Sequence, residues 1–186
     1  MIEAMFFDLD GTLLDTRRAN FAAYRVALSS FGQEFTSEQF KESWGKDARD
    51  FLPDLYPELT INQVEEVRGL KAKIYGEFFE ETTINLGLLD VIRTSKASGI
   101  RTGLVTTAKE RSLMPLLEFH RILEIFDVIV SGDDVSQGKP DPEPYLKALA
   151  LTGCQSSNAV AFEDSEAGIL SAERAGINTI RIMFGN

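Results

Sequence analysis

The sequence predicts an α/β protein: a parallel sheet with helices on both faces and a small all-α block inserted after the first strand. Three observations carry this reading. From Asn85 onward, short and nearly continuous apolar runs alternate with helical segments, the pattern of strands buried on both faces. Between Asp15 and Ile84 the spacing is helical only, with no strand candidate. Ahead of that block, the apolar run Ala4 to Phe7 stops at Asp8-Leu9-Asp10-Gly11-Thr12, so the first strand carries two carboxylates to its C-terminal tip.

In chain order, Thr16 can cap a helix that reaches Phe31, with Gly32 as its stop. Thr36 or Ser37 opens a second short helix over Glu38 to Phe40, and Lys46 to Leu55 forms a third that ends near Pro53 or Pro57. Asn62 to Glu81 is the longest, with Val64, Val67, Leu70, Ile74 and Phe78 on one face. A helix over Leu86 to Ser98 then stops at Gly99, followed by a strand from Ile100 to Thr106 and a helix from Glu110 to Phe119. Phe126 to Val130 is a strand, and Pro142 to Leu151 is a helix with proline in its first turn and Gly153 past its end. Ala159 to Phe162 is a strand ending in Glu163-Asp164-Ser165, Ser165 to Ala175 a helix closed by Gly176, and Thr179 to Ile182 a last strand. Right-handed crossovers then place helices on both faces of a Rossmann-like parallel sheet core. The expected division is 1–14 with 85–186 as core and 15–84 as helical insertion.

Composition narrows the function. A chain of 186 residues suits one main domain plus a modest insertion. The net charge of −10 argues against a nucleic-acid partner, which calls for a basic face. No apolar stretch approaches the roughly 20 residues of a membrane span, and the N-terminus shows no basic region with a cleavage site, so no membrane partner and a cytoplasmic location are expected. Cys154 is the single cysteine and His120 the single histidine, which leaves no internal disulfide and no basis for a cysteine nucleophile.

The strand tips hold the chemistry. Two acids one residue apart repel each other, and a cation with oxygen ligands is their natural partner. Asp8 and Asp10 can also address one reacting atom from two sides, one attacking while the other moves a proton. Thr106 ends the second sheet strand, Lys139 lies in the loop after the third, and Glu163 with Asp164 end the fourth. Singly, each has a plain structural role: a turn cap, a strand-end hydroxyl, a solvated lysine, an N-cap pair. Together on one sheet edge they are what a metal-assisted phosphoryl site needs.

The segments Phe7-Asp8-Leu9-Asp10-Gly11-Thr12-Leu13, Leu104-Val105-Thr106-Thr107, Gly138-Lys139-Pro140-Asp141-Pro142 and Phe162-Glu163-Asp164-Ser165-Glu166-Ala167-Gly168 resemble, in order, the four motifs of the haloacid dehalogenase-like hydrolase superfamily. The helical block resembles the cap of its phosphoglycolate phosphatase and β-phosphoglucomutase branch. The resemblance implies Asp8 as nucleophile, forming an aspartyl-phosphate, and Asp10 as the acid and then the base. It implies Thr106 and Lys139 as holders of the phosphoryl oxygens, and Mg2+ bound by Asp8, the carbonyl of Asp10, Asp164, and Glu163 directly or through water. Backbone N–H groups around Gly11 and at Thr107 are expected to cup the remaining oxygens. The implied reaction is hydrolysis of a small-molecule phosphate ester by a monomer or weak homodimer, with a sugar phosphomutase as alternative and a non-catalytic relative as the third reading. The acid at Asp10 sets the chain apart from the dehalogenases, whose halide leaving group needs no proton. Branch members commonly continue for another helix and strand, so a trimmed sheet edge is expected. They also tend to carry a histidine in the mutases where this chain has Asn20; Lys46 and Arg49 are the cap cations expected to meet substrate. Rigid movement of the cap about its two junctions is the expected way of closing the site.

Overall fold

The N-terminal apolar run forms β1 (Ala4–Phe7), the middle strand of a five-stranded parallel sheet. In the computed structural model, which describes residues 1–184, it is followed by β2 (Leu14–Asp15), α1 (Arg17–Ser29), α2 (Ser37–Ser43), α3 (Ala48–Leu55), α4 (Ile61–Ile74) and β3 (Thr83–Ile84). The rest of the chain runs α5 (Leu86–Ala97), β4 (Arg101–Val105), α6 (Glu110–Phe119), β5 (Val128–Val130), α7 (Glu143–Thr152), β6 (Ala159–Glu163), α8 (Glu166–Arg174) and β7 (Asn178–Arg181). The sheet order is β5-β4-β1-β6-β7, with every pairing parallel. The chain steps outward from β1 through β4 to β5, then returns across β1 to β6 and β7. That reversal makes the C-terminal end of β1 a switch point, where the loops on either side diverge.

Alternation along β1 feeds both faces of the sheet. Ala4 and Phe6 pack into a buried cluster with Tyr145 and Ala148 of α7 and Ala172 of α8. On the opposite face Met5 accepts a hydrogen bond at its sulfur from Ser95 of α5 at 3.2 Å, and Phe7 stacks on Phe162 with ring centroids 4.7 Å apart. Gly103 lies beside Phe6 because a Cβ there would sit 2.7 Å from the Phe6 ring.

The chain divides into two compact units, Met1–Thr16 with Thr83 onward, and Arg17–Thr82. The second is wholly helical, with Leu28, Phe35, Phe51, Leu52 and Val67 in its core. Two capping boxes fix its turns: Thr36 with Gln39 opens α2, and Thr60 with Gln63 opens α4.

The structure corrects the sequence reading at three places. The long helix expected over 62–81 ends at Ile74, and Tyr75–Glu81 tightens into a 3₁₀ helix. Gly76 is a weak α-former, and the tighter turn buries both Tyr75 and Phe79, whose rings meet edge to face at 5.2 Å. The third helix ends at Leu55 as read: it passes through Pro53 and stops before Pro57, because the residue preceding a proline is driven out of the α region and Tyr56 takes φ −134° and ψ 75°. The stretch read as free of strands contributes to a two-stranded antiparallel ribbon, β2 with β3, pairing Leu14 with Ile84 and Asp15 with Thr83. Strands of two residues carry no periodicity to read. The strand expected over 126–130 begins only at Val128, because Leu123–Ile125 forms a 3₁₀ turn capped by Phe126. Among the described residues, no helix is long and apolar enough to cross a membrane.

Candidate active site

The site lies at the C-terminal ends of β1, β4 and β6, three neighbouring strands. Asp8 follows β1 directly, and its amide still donates to the Phe162 carbonyl of β6 at 3.0 Å, so the sheet fixes its backbone. The chain then folds back: the amides of Thr12, Leu13 and Leu14 all donate to the carbonyl of Leu9, at 3.3, 3.0 and 2.9 Å. Gly11 is required in this turn for two reasons. Its φ is +91°, and a Cβ there would meet Asp164 Oδ2 at 2.2 Å. One carboxylate oxygen of Asp10 accepts a short hydrogen bond from the Thr16 hydroxyl, and the charge of Asp10 is felt at Asp164.

Lys139 organises the centre. Its side chain is 4% exposed, and its ammonium donates to Asp8 Oδ1 at 2.7 Å, to the Val105 carbonyl at 2.8 Å and to Glu163 Oε1 at 2.5 Å. An ammonium has three protons, and all three are used. Burial alone would lower its pKa, but the charges of Asp8 and Glu163 outweigh burial and raise it, so Lys139 is held cationic.

Glu163 has no exposed surface. Its Oε1 takes Lys139 and also the Tyr145 hydroxyl at 2.6 Å, and its carboxylate rests on Gly168, where a Cβ would come within 2.0 Å of Oε2. Burial, and then the charge of Asp8, push Glu163 up to about 7. Asp164 is partly buried, and burial followed by the charge of Asp8 lifts it to about 6. The Asp164 Oδ1 stands 3.5 Å from the Thr12 hydroxyl.

Thr106 is buried, and its hydroxyl oxygen accepts the Ala108 amide at 3.0 Å, which leaves its proton to donate. Thr107 follows it on the surface, and Gly132 packs so closely on the Thr107 carbonyl that a Cβ there would lie 2.3 Å away.

Two features bear on a cation. One oxygen each from Asp8, Glu163 and Asp164 lies within 4.8 Å of the others, three acids against one lysine. Asp8 Oδ2 is buried without any hydrogen-bond partner, although its twin Oδ1 is held by Lys139. Hard oxygen donors in this number fit Mg2+, and a cation there would offset the negative charge gathered around the unpartnered oxygen.

The other expected substrate contacts belong to the helical unit. Asn20 donates from its amide to the Tyr75 hydroxyl at 3.4 Å. Arg49 is engaged by Glu65, with Nε to Oε1 at 2.7 Å and Nη2 to Oε2 at 3.4 Å. Lys46 follows α2 and its amide closes a turn on Ser43. Tyr145 was invisible as a site residue in the sequence. The available signal was a tyrosine on the apolar face of the helix after Lys139, since a buried phenol has to find an acceptor.

Comparison with known proteins agrees with this arrangement. The haloacid dehalogenase-like hydrolase family profile matches residues 5–182. A phosphorylated carbohydrates phosphatase of Thermotoga maritima is 34% identical over 184 residues, covering 96% of this chain and 84% of the relative. A phosphoglycolate phosphatase of Pseudomonas fluorescens is 29% identical over 188 residues, covering 97% of this chain and 69% of the relative. Among solved structures, CbbY from Rhodobacter sphaeroides in complex with phosphate superposes with a TM-score of 0.88 at 27% identity, covering 100% of this chain and 88% of that one. With the family motifs on adjoining strand tips and the profile spanning almost the whole sequence, the chain belongs to the haloacid dehalogenase-like hydrolase family, as a phosphoric monoester hydrolase of its phosphatase and phosphoglucomutase branch.

Proposed function

We propose that the protein is a Mg2+-dependent phosphatase that hydrolyses a small phosphorylated metabolite through an aspartyl-phosphate on Asp8. The observation that carries this is the inequality of the two Asp8 oxygens: Oδ1 is tied to Lys139, while Oδ2 is buried and unpartnered. An oxygen so placed is a desolvated nucleophile in a fixed direction. Its attack forms an O–P bond and breaks the bond from phosphorus to the ester oxygen, and Asp10 gives that oxygen its proton. Asp10 then takes a proton from the water that attacks the aspartyl-phosphate, so inorganic phosphate leaves and both acids return to their starting states. Thr16, donating to Asp10, holds that carboxyl for both transfers. Thr106, with a free hydroxyl proton, and Lys139 are the donors for the phosphoryl oxygens. Asp8, Asp164, the Asp10 carbonyl and Glu163 would hold Mg2+, which when bound neutralises the repulsion between nucleophile and phosphate.

The helical unit is proposed as the cap that selects substrate. A phosphorylated sugar is favoured by the relative from Thermotoga maritima, which is named for carbohydrate phosphates. Asn20 cannot change charge near neutral pH, which supports hydrolysis over phosphoryl transfer between sugar hydroxyls. Turnover of p-nitrophenyl phosphate and a panel of sugar phosphates with Mg2+ or EDTA tests the proposal. Asp8→Asn should lower kcat by several powers of ten with the fold intact. Substantial turnover in that variant, or full activity of the native protein in EDTA, defeats the reading. Glucose 6-phosphate formed from β-glucose 1-phosphate faster than free phosphate would make the protein a mutase.

A further inference from the structure

We propose that Tyr145 is a positioning residue for the phosphoryl-transfer step, its hydroxyl locking Glu163 so that Lys139 stays shared between Glu163 and the nucleophile Asp8. This rests on the phosphatase reading above. Tyr145 is fully buried at the start of α7, its ring edge-on to Phe6 of β1 with centroids 6.4 Å apart. A buried tyrosine hydroxyl has to find an acceptor. Here the hydroxyl ends on Glu163 Oε1 at 2.6 Å, the same atom that takes Lys139 at 2.5 Å. A carboxylate oxygen offers two good acceptor directions, and both are filled. Lys139 is therefore confined to one side of Oε1, and from there its other protons reach Asp8 Oδ1 and the Val105 carbonyl.

All four donor protons are placed, and Oε1 is the acceptor that takes two of them. Without the hydroxyl, Oε1 regains an open direction inside a dry site, and Lys139 is the donor already bonded to that oxygen, the Ser165 hydroxyl lying 3.5 Å from Oε2 instead. The ammonium can then swing toward Glu163 and loosen from Asp8 Oδ1, which lets the Asp8 carboxylate turn. Turning moves Oδ2 off the line of attack. The loss falls on the transition state, where the geometry of Oδ2 matters, and spares the capture of phosphate, which the other donors share. Carboxylate networks of this kind lose more than one bond when a member is removed.

The test compares wild type with Tyr145→Phe, which keeps the ring against Phe6 and removes only the hydroxyl, and with Tyr145→Met, which removes it with different packing. With p-nitrophenyl phosphate and Mg2+, kcat is expected to fall about tenfold in both, the scale of one hydrogen bond to a charged group, while KM stays within about twofold. Inhibition by orthovanadate, a mimic of the five-coordinate transition state, should weaken by the same factor, and inhibition by inorganic phosphate should not. Unchanged kcat and vanadate affinity in Tyr145→Phe would overturn the inference and leave Tyr145 as packing. So would losses that follow the melting temperatures of the two variants, or equal weakening of phosphate and vanadate. The phosphatase reading is judged separately by wild-type turnover and its loss in Asp8→Asn; an inactive wild type overturns both.

Discussion

Removal of divalent metal should make the sheet unit less stable as pH rises, a reversal of the behaviour usual for salt-bridged carboxylates. The cause is Glu163. In the folded protein, burial and the neighbouring Asp8 charge lift its carboxyl from an ordinary 4.5 to about 7, while the unfolded chain keeps the ordinary value. The folded state thus binds the Glu163 proton more tightly than the unfolded one. Its contribution is fully present below about pH 4.5 and is lost as pH climbs through about 7. A rise of that size corresponds to about 3 kcal/mol, an order-of-magnitude figure. Asp164, raised to about 6 from 3.8, acts in the same direction. For a chain of this length about 1 kcal/mol moves the melting midpoint by roughly 2–4 °C, so a fall of some 6–12 °C is expected in EDTA between pH 5 and pH 8. Mg2+ competes with those protons, so the stabilisation it provides should grow over the same interval. Scanning fluorimetry at several pH values, with EDTA or with saturating Mg2+, reads both effects. Glu163→Gln, which has no proton to lose, should flatten most of the slope. A midpoint in EDTA that stays level or climbs from pH 5 to pH 7.5 would refute the electrostatic account of the acid cluster.

Three further outcomes follow from the close packing around the same acids and from a distant strut. Gly168→Ala drives a methyl into the Glu163 carboxylate, which has no exposed surface to retreat into, so it should cost about 1–3 kcal/mol in urea titration and lower kcat by disturbing Lys139. Gly11→Ala combines a Cβ 2.2 Å from Asp164 Oδ2 with a φ of +91°, and calorimetry should find weakened Mg2+ binding. Asp127 anchors the start of β4, accepting the Thr102 amide at 2.9 Å and pairing with Lys96 at 3.2 Å. Burial opposes its ionisation, but these donors win and its pKa is lowered, so its contribution is present above about pH 4 and lost below. Asp127→Asn should therefore cost about 1 kcal/mol at neutral pH, less in acid, with kcat unchanged.

The sheet was legible because its strands are buried on both faces. Runs such as Gly103-Leu104-Val105 and Ala159-Val160-Ala161-Phe162 need no partner information to be read as strands, and the glycines after α5, α7 and α8 mark where helices stop. The acids were legible from their position at strand ends, and the lysine from its motif in the loop after the third sheet strand. Two things were not. Local periodicity cannot show that Gly76 and two buried aromatics turn the end of a long helix into a 3₁₀ turn, since the preference arises from tertiary packing. Nor can spacing show how donors are shared. That Arg49 is occupied by Glu65, sixteen residues on, depends on the side-by-side placement of α3 and α4. That Tyr145 meets Glu163 depends on α7 crossing the face of β1 and β6, an association across 18 residues that no motif records.

One lysine ties together the tips of three adjacent strands: Val105 ends β4, Asp8 follows β1 and Glu163 ends β6. These partners lie 34, 131 and 24 residues from Lys139, so none of the three contacts is local. They coexist only when β4 and β6 are both seated on β1 in register, with Phe7 level with Leu104 on one side and Phe162 on the other. Before that, Lys139 is a hydrated loop charge and the acids are ordinary carboxylates at ordinary pKa values. Seating the strands removes water, raises Glu163 and Asp164, holds Lys139 cationic and leaves Asp8 Oδ2 without a donor. The inequality of the Asp8 oxygens is thus a product of sheet assembly at the point where the chain reverses its direction across the sheet, and substitutions that loosen strand register should disturb this cluster before they unfold the protein.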